Sequence, residues 1–268
     1  MSKTGSAAKV KLNSFDDLFG TEQPQTGTEQ VQEIALSELH EFKGHPFKVL
    51  DDEKMQETME SIREHGVLMP GIARPMKDGG YEIIAGHRRR HACELVGLTT
   101  MPMFIRDYTD DEATIIMVDS NIQREDILPS EKAKAYFMKY EAVKHQGKKG
   151  KGNSLDEVGK TAGESAKTVQ RYIYLAHLSD ALLDMVDKKK IGIVQGVELS
   201  FLTEQQQEWV QVVLEETGVI ISTVQASRLK EHGKSDELTL PMVRLILTEP
   251  KPIERKVTIK EDKISRYF

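Results

Sequence analysis

The chain is poor in the features that most quickly assign a protein to a class. One cysteine, Cys93, excludes an internal disulfide and an all-cysteine metal site. Aromatic residues are only 6% of its 268 residues. The apolar run "IIMV" at Ile115 to Val118 is far shorter than the roughly 20 residues of a membrane span. The opening "MSKTGSAAKVKLNSF" lacks the apolar segment of a secretory signal, so a cytoplasmic location with no membrane partner is expected. An overall positive charge is missing too, and a formal net charge of −6 argues against indiscriminate nucleic-acid binding. The charge is uneven, however. Acidic residues outnumber basic ones through residue 128, whereas residues 148–190 are locally basic, which permits a DNA contact confined to one segment.

Residues 1–31, rich in Ser, Thr, Gln and Gly and without periodicity, are expected to form a flexible arm. An α+β domain is expected over 32–128. In it "DDEKMQETMESIREHG" is a helix stopped by Gly66, "GIARP" and "YEIIAG" are strands joined through a "KDGG" turn, "RRRHACELVG" is a helix closed by Gly97, and "TMPMFIR" is a further strand. A mostly helical domain is expected over 129–234, interrupted by the basic glycine-rich linker "GKKGKGN", with 235–268 as a C-terminal tail.

The stretch "YEIIAGHRRRHACELVGL" sets a strand end and Gly86 against five basic residues. A helix starting after Gly86 offers unpaired amides and the positive end of its dipole, for which phosphate is the natural guest. Positive side chains there oppose the dipole, so a purely structural purpose explains them poorly. Successive helical residues lie about 100° apart, so Arg88, Arg89 and Arg90 cannot all face one ligand, and at least one must turn to solvent or to an acidic partner. His87 and His91 have the i, i+4 spacing of a metal pair, but three arginines repel a cation and no third ligand is apparent. Cys93, among apolar neighbours, reads as core. Further on, "DSNIQREDILPSEKA" admits two readings: helix-terminal packing by Asn121, Gln123 and Arg124, or a hard cation held by Asp119, Glu125 and Asp126 beside phosphates.

"LDEVGKTAGESAKTVQRYIYL" fits a helix-turn-helix. Val158 and Ala162 face inward, Gly159 allows a close crossing, Gly163 makes the turn, and Val169 and Tyr172 anchor the second helix. Ser165 caps that helix, whose exposed face offers Lys167, Thr168, Gln170, Arg171 and Tyr174 to a major groove. An ordinary helical hairpin satisfies the same spacing.

Taken in order, these stretches resemble the ParB family of plasmid and chromosome partition proteins, from about Ile34 to about Leu229. "SIREHGVLMPGIARP" is similar to the family's first nucleotide motif through Arg63, Gly66 and Pro70. "AGHRRRHA" is similar to its phosphate-binding box, usually Gly-Glu-Arg-Arg-x-Arg-Ala, and "SNIQREDILPSEKA" to its third motif, normally Glu-Asn-x-Gln-Arg. The resemblance implies an N-terminal domain of the ParB and sulfiredoxin fold followed by the helix-turn-helix domain. It further implies a homodimeric clamp that recognises a centromere-like site on double-stranded DNA, binds CTP with Mg2+, closes, slides and recruits a ParA-type ATPase. By position Arg63, Gly66 and Pro70 shape the nucleotide pocket, while Gly86, His87, Arg88, Arg89, Asn121 and Arg124 contact the triphosphate or its metal. Three positions depart from the pattern. His87 replaces the box glutamate and His91 its last arginine. Ser120 replaces the glutamate that helps hold magnesium, with Asp119 as a possible substitute ligand beside Asn121, so CTP hydrolysis is left open. A sulfiredoxin activity is excluded because Gly86 stands where its reactive cysteine would be. A ParB-like regulator without a nucleotide switch, or a nuclease using the carboxylates from Asp119 to Asp126, are the alternatives.

Overall fold

The computed structural model describes residues 30–124, 126–146 and 154–249. The arm up to residue 29, the linker at 147–153, Glu125 and the chain beyond 249 lie outside the described residues.

The first half is built on a five-stranded mixed sheet: β1 (Val31–Ala35), β2 (Leu39–His40), β3 (Gly71–Pro75), β4 (Tyr81–Ala85) and β5 (Thr100–Ile105), in the order β1-β5-β3-β4-β2. β3 and β4 form the expected antiparallel hairpin, turned by Gly79 and Gly80 at positive φ, while β3 runs parallel to β5 and β2 to β4. Successive strand residues face opposite sides. Ile83 therefore packs with Met55 and Ile62 of α1 (Glu53–His65) and with Ala92 and Cys93 of α2 (His87–Val96). Its neighbour Ile84 packs on the other face with Ala113, Met117 and Val118 of α3 (Asp110–Asn121) and Tyr136 of α4 (Pro129–His145).

Among the described residues only helices follow α4: α5 (Ser154–Lys160), α6 (Ala166–Leu175), α7 (Asp180–Asp187), α8 (Ile193–Leu199), α9 (Glu204–Thr217), α10 (Thr223–Lys234) and α11 (Leu240–Thr248). The α+β then all-helical order expected from sequence is what the chain adopts. The apolar layer beneath α3 continues across residue 128 to Val158 of α5 and to Val169 and Ile173 of α6. The helix-turn-helix is thus packed on the same core that underlies the sheet. A third cluster fills the bundle from α7 to α11.

One boundary differs. The tail expected from residue 235 is part of this bundle through residue 249, because "LPMVRLILT" carries Pro241 in its first turn and buries Val243, Ile246 and Leu247 along one stripe. Proline fits the first turn of a helix, where its missing N–H has no partner to lose. That apolar spacing is helical rather than extended.

Candidate nucleotide cleft and DNA-reading face

Gly86 caps α2 at φ +113, a conformation that L side chains rarely adopt, and among the described residues no side chain caps the first amides of the helix. The Cβ of an alanine there would also sit 3.2 Å from Gly71 Cα. The three arginines part company as the helical spacing requires. Arg88 pairs with Asp52 at 2.8 Å and holds that carboxyl below its usual range. Arg90 pairs with Glu94 at 2.8 Å. Arg89 is half-buried and donates to the carbonyls of Met69 and Pro70, tying the loop after α1 to the start of α2.

A cleft of about 250 Å³ opens at this helix entrance. Its walls include Pro70 from the first motif, Gly86, His87, Arg88 and Arg89 from the second, and Ser120, Asn121 and Arg124 from the third, with Phe104 and His45 among the other lining residues. A neighbouring depression of about 600 Å³ shares Arg88 and Arg124 with it. Positive charge, free amides and open volume make this a place for a polyanion.

Two expected members of the site lie elsewhere. Arg63 is exposed and lines a groove with Asp51, Met55 and Glu60, and Gly66 lies in a depression with Leu68 and Met69 that touches this site only through Arg89. His91 leaves the cleft as well, engaging Asp51 at 2.8 Å rather than standing beside His87.

The proposed metal substitute is also directed away. Asp119 pairs at 2.5 Å with Lys139, whose ammonium is almost fully buried and also donates to Val158 O and Thr161 Oγ1. A buried cation demands its counter-ion, so Asp119 is committed to it. Asp126 pairs with Lys54, and among the described residues no three His, Cys, Asp or Glu converge as a metal site. Of the carboxylates on which the nuclease alternative rests, Asp119 and Asp126 are thus engaged with separate lysines, and Glu125 lies outside the described residues. What faces the cleft is the Ser120 hydroxyl, donating to Met117 O at 3.0 Å, and Asn121, whose Nδ2 donates to Met117 O at 2.9 Å and whose Oδ1 accepts from Arg124 at 3.5 Å. That donor set fits Mg2+ poorly, since no carboxylate among the described residues lines the cleft and a hard cation favours one.

Next to it, Gln123 of the third motif donates to Thr161 O at 2.9 Å, reaching the turn of the helix-turn-helix. In that motif Val158 and Val169 are buried, Gly163 turns at φ +66, and Ser165 caps α6 by accepting from Thr168 N. The close crossing is enforced at Gly159, where a Cβ would press on the Glu164 carbonyl and lie 2.9 Å from Val169 Cγ2. Lys167, Gln170 and Arg171 are exposed on one side of α6. Gln170 and Tyr174 face each other at 3.4 Å. Tyr174 also packs on Phe201, whose ring lies 3.8 Å from Lys230 Nζ.

Fold and sites together define a helix-turn-helix protein with an α+β half in front of it whose cleft is lined by Arg88, Arg89 and Arg124. A family model described as the ParB N-terminal domain matches residues 20–122. The probable chromosome 1-partitioning protein ParB of Deinococcus radiodurans is 32% identical over 212 residues, spanning 79% of this chain and 70% of that protein. The chromosome-partitioning protein Spo0J of Thermus thermophilus is 30% identical over 235 residues, spanning 88% and 80%. This chain belongs to the ParB family of chromosome-partitioning proteins. A C-terminally truncated ParB from Caulobacter crescentus complexed with CTP-gamma-S is 25% identical, covers 75% of this chain and 98% of its own, and superposes with a TM-score of 0.33.

His45 and Lys139 escaped the sequence reading. The signal for Lys139 was available: it lies in the stripe Tyr136, Lys139, Ala142, Val143 of α4, where a lone charge among buried positions implies a buried partner. His45 sits in a loop without periodicity, and only the fold brings it to the cleft.

Proposed function

We propose that this protein is a sequence-specific DNA-binding partition protein in which CTP in the α2 cleft switches the hold of the helix-turn-helix on double-stranded DNA. One observation carries the reading. Segments about 15 to 35 residues apart, at Pro70, Gly86–Arg89 and Ser120–Arg124, converge on one cleft, and the last of them is hydrogen-bonded to the turn of the helix-turn-helix. Occupancy at the phosphate end can therefore reach the reading head through a single short segment. The triphosphate lies along the free amides of α2 with Arg88, Arg124 and Asn121 around it, while Arg89 keeps the Pro70 loop in place as the near wall. If Mg2+ accompanies CTP, its ligands come mainly from the phosphates and water, with Asn121 Oδ1 the one apt protein oxygen, and no hydrolytic step is assigned to it. On the DNA side Lys167 serves phosphate, Gln170 and Arg171 read base edges, and Ser165, Thr168 and Tyr174 complete the contact. A homodimer, a centromere-like palindrome and a ParA-type ATPase belong to the same reading.

The test measures retention on closed DNA circles bearing a site selected from random duplexes, with and without CTP. CTP is expected to increase retention at high salt, and Arg89→Ala to abolish the increase while leaving initial site binding intact. Retention indifferent to CTP would favour a regulator without a nucleotide switch.

A further inference from the structure

His45 and His87 stack in the cleft with ring centroids 3.9 Å apart, one from the loop after β2 and the other from the first turn of α2. The Nε2 atom of each is buried and has no hydrogen-bond partner among the described residues. His45 makes a backbone hydrogen bond with Phe47 and an edge contact to its ring at 5.6 Å, which fixes its orientation. Two orphaned polar atoms side by side are costly unless something else satisfies them. Both line the space where the phosphate tail is placed.

We propose that the His45–His87 pair is a proton-linked contact for the phosphate chain: when the polyanion enters, one proton is taken up from solvent and shared with it as an imidazolium N–H···O bond. The inference rests on the nucleotide reading of this cleft and adds a residue, His45, and a linkage to it.

The cleft disfavours a charged imidazole. Burial pushes His87 down to about 3, with His45 and Arg90 adding to the effect, and lowers His45 as well. Around His45, Glu41 and Glu131 favour protonation while Arg124 opposes it. Arg88 and Arg89 line the same cleft. Both rings are therefore neutral at pH 7 without ligand. A phosphate chain brings several negative charges against them and reverses the balance for one ring. It cannot do so for both, because two imidazolium ions stacked this closely repel each other. Binding then raises the pair's proton affinity, so nucleotide affinity is greatest at low pH and falls as pH rises through the value reached in the complex. The limit is about tenfold in Kd per pH unit for one proton.

Titration calorimetry on the full chain, in buffers of different ionisation enthalpy between pH 6.5 and 8.0, counts the protons. CTP and inorganic tripolyphosphate are the probes. Because the ligand's own protonation is common to all proteins at one pH, wild type is compared with His45→Gln and His87→Gln. Wild type is expected to take up close to one proton more than either variant with both ligands, and the variants to lose that part of the pH dependence. Imidazole 15N shifts of wild type, moving toward imidazolium for one ring on addition of ligand, give a readout that survives misfolding of a variant. CTP binding with equal proton uptake in all three proteins and unchanged 15N shifts overturns the pair's role while leaving the nucleotide reading in place. Uptake with CTP but not with tripolyphosphate also overturns it, since the rings would then face the base or ribose. No binding of CTP at any pH removes both.

Discussion

Lys139 is the residue whose removal tests how the two halves are joined. Its side chain is 4% exposed and holds Asp119 of α3 at 2.5 Å, Val158 O of α5 at 3.2 Å and Thr161 Oγ1 at 3.3 Å. Lys139→Met keeps the stem and deletes the charge. Asp119, with its side chain 23% exposed, is then left without its counter-ion, and a buried carbonyl loses a donor. Removing one partner of a buried pair costs about 3–5 kcal/mol, and because water reaches part of Asp119 the lower end, about 3 kcal/mol, applies. Adding Asp119→Leu removes the stranded charge, and the double variant should recover to within about 1.5 kcal/mol of wild type, since apolar replacement of a whole buried pair is often near neutral. Urea unfolding followed by far-ultraviolet circular dichroism and by the fluorescence of Trp209, the chain's single tryptophan, which packs on the bundle core, measures this. A loss below about 0.5 kcal/mol for the single variant, or a double variant as weak as the sum of the two single changes, would refute the argument that the pair is a buried joint. The same variant should keep CTP affinity within about twofold while diminishing the effect of CTP on DNA retention, because the cleft residues Ser120 and Asn121 are untouched and the tie to α5 is cut.

Three further outcomes follow from local geometry. Gly159→Val should cost about 2–4 kcal/mol and abolish site-specific DNA binding, because its side chain enters the space of the Glu164 carbonyl and Val169; wild-type binding by gel shift would contradict the crossing. Arg171→Ala should weaken binding to the selected site by about 1–3 kcal/mol with little loss on random duplex, whereas equal losses on both would make Arg171 a phosphate contact. His87 is held near 3 in the fold against 6.5 when unfolded, so the unfolded chain binds the extra proton between those values. Stability is then complete above pH 6.5 and falls as pH drops, by about 2 kcal/mol at pH 5, and urea midpoints of His87→Gln should lack this decline.

Local signals were well written in the sequence. The "KDGG" turn, the glycines at 86 and 97 that bracket α2, and the Gly163 and Ser165 pair of the helix-turn-helix each specify a backbone conformation within a few residues, and each is found where expected. Features that depend on which distant segment comes alongside were not. His45 meets His87 across 42 positions, and Arg63, correctly placed on α1, lines a groove with Asp51, Met55 and Glu60 that Gly86 does not line. Asp119 is the instructive case, because helix geometry alone could have placed it. Residues 119 and 121 stand about 200° apart around a helix, so if Asn121 faces the cleft, Asp119 must point nearly opposite. Opposite the cleft is the helix-turn-helix, reached through Lys139. The last turn of α3 thus presents one side to the arginine-lined cleft and the other, through Lys139, to the helix-turn-helix, and a rotation or shift of that turn could not move one contact without moving the other.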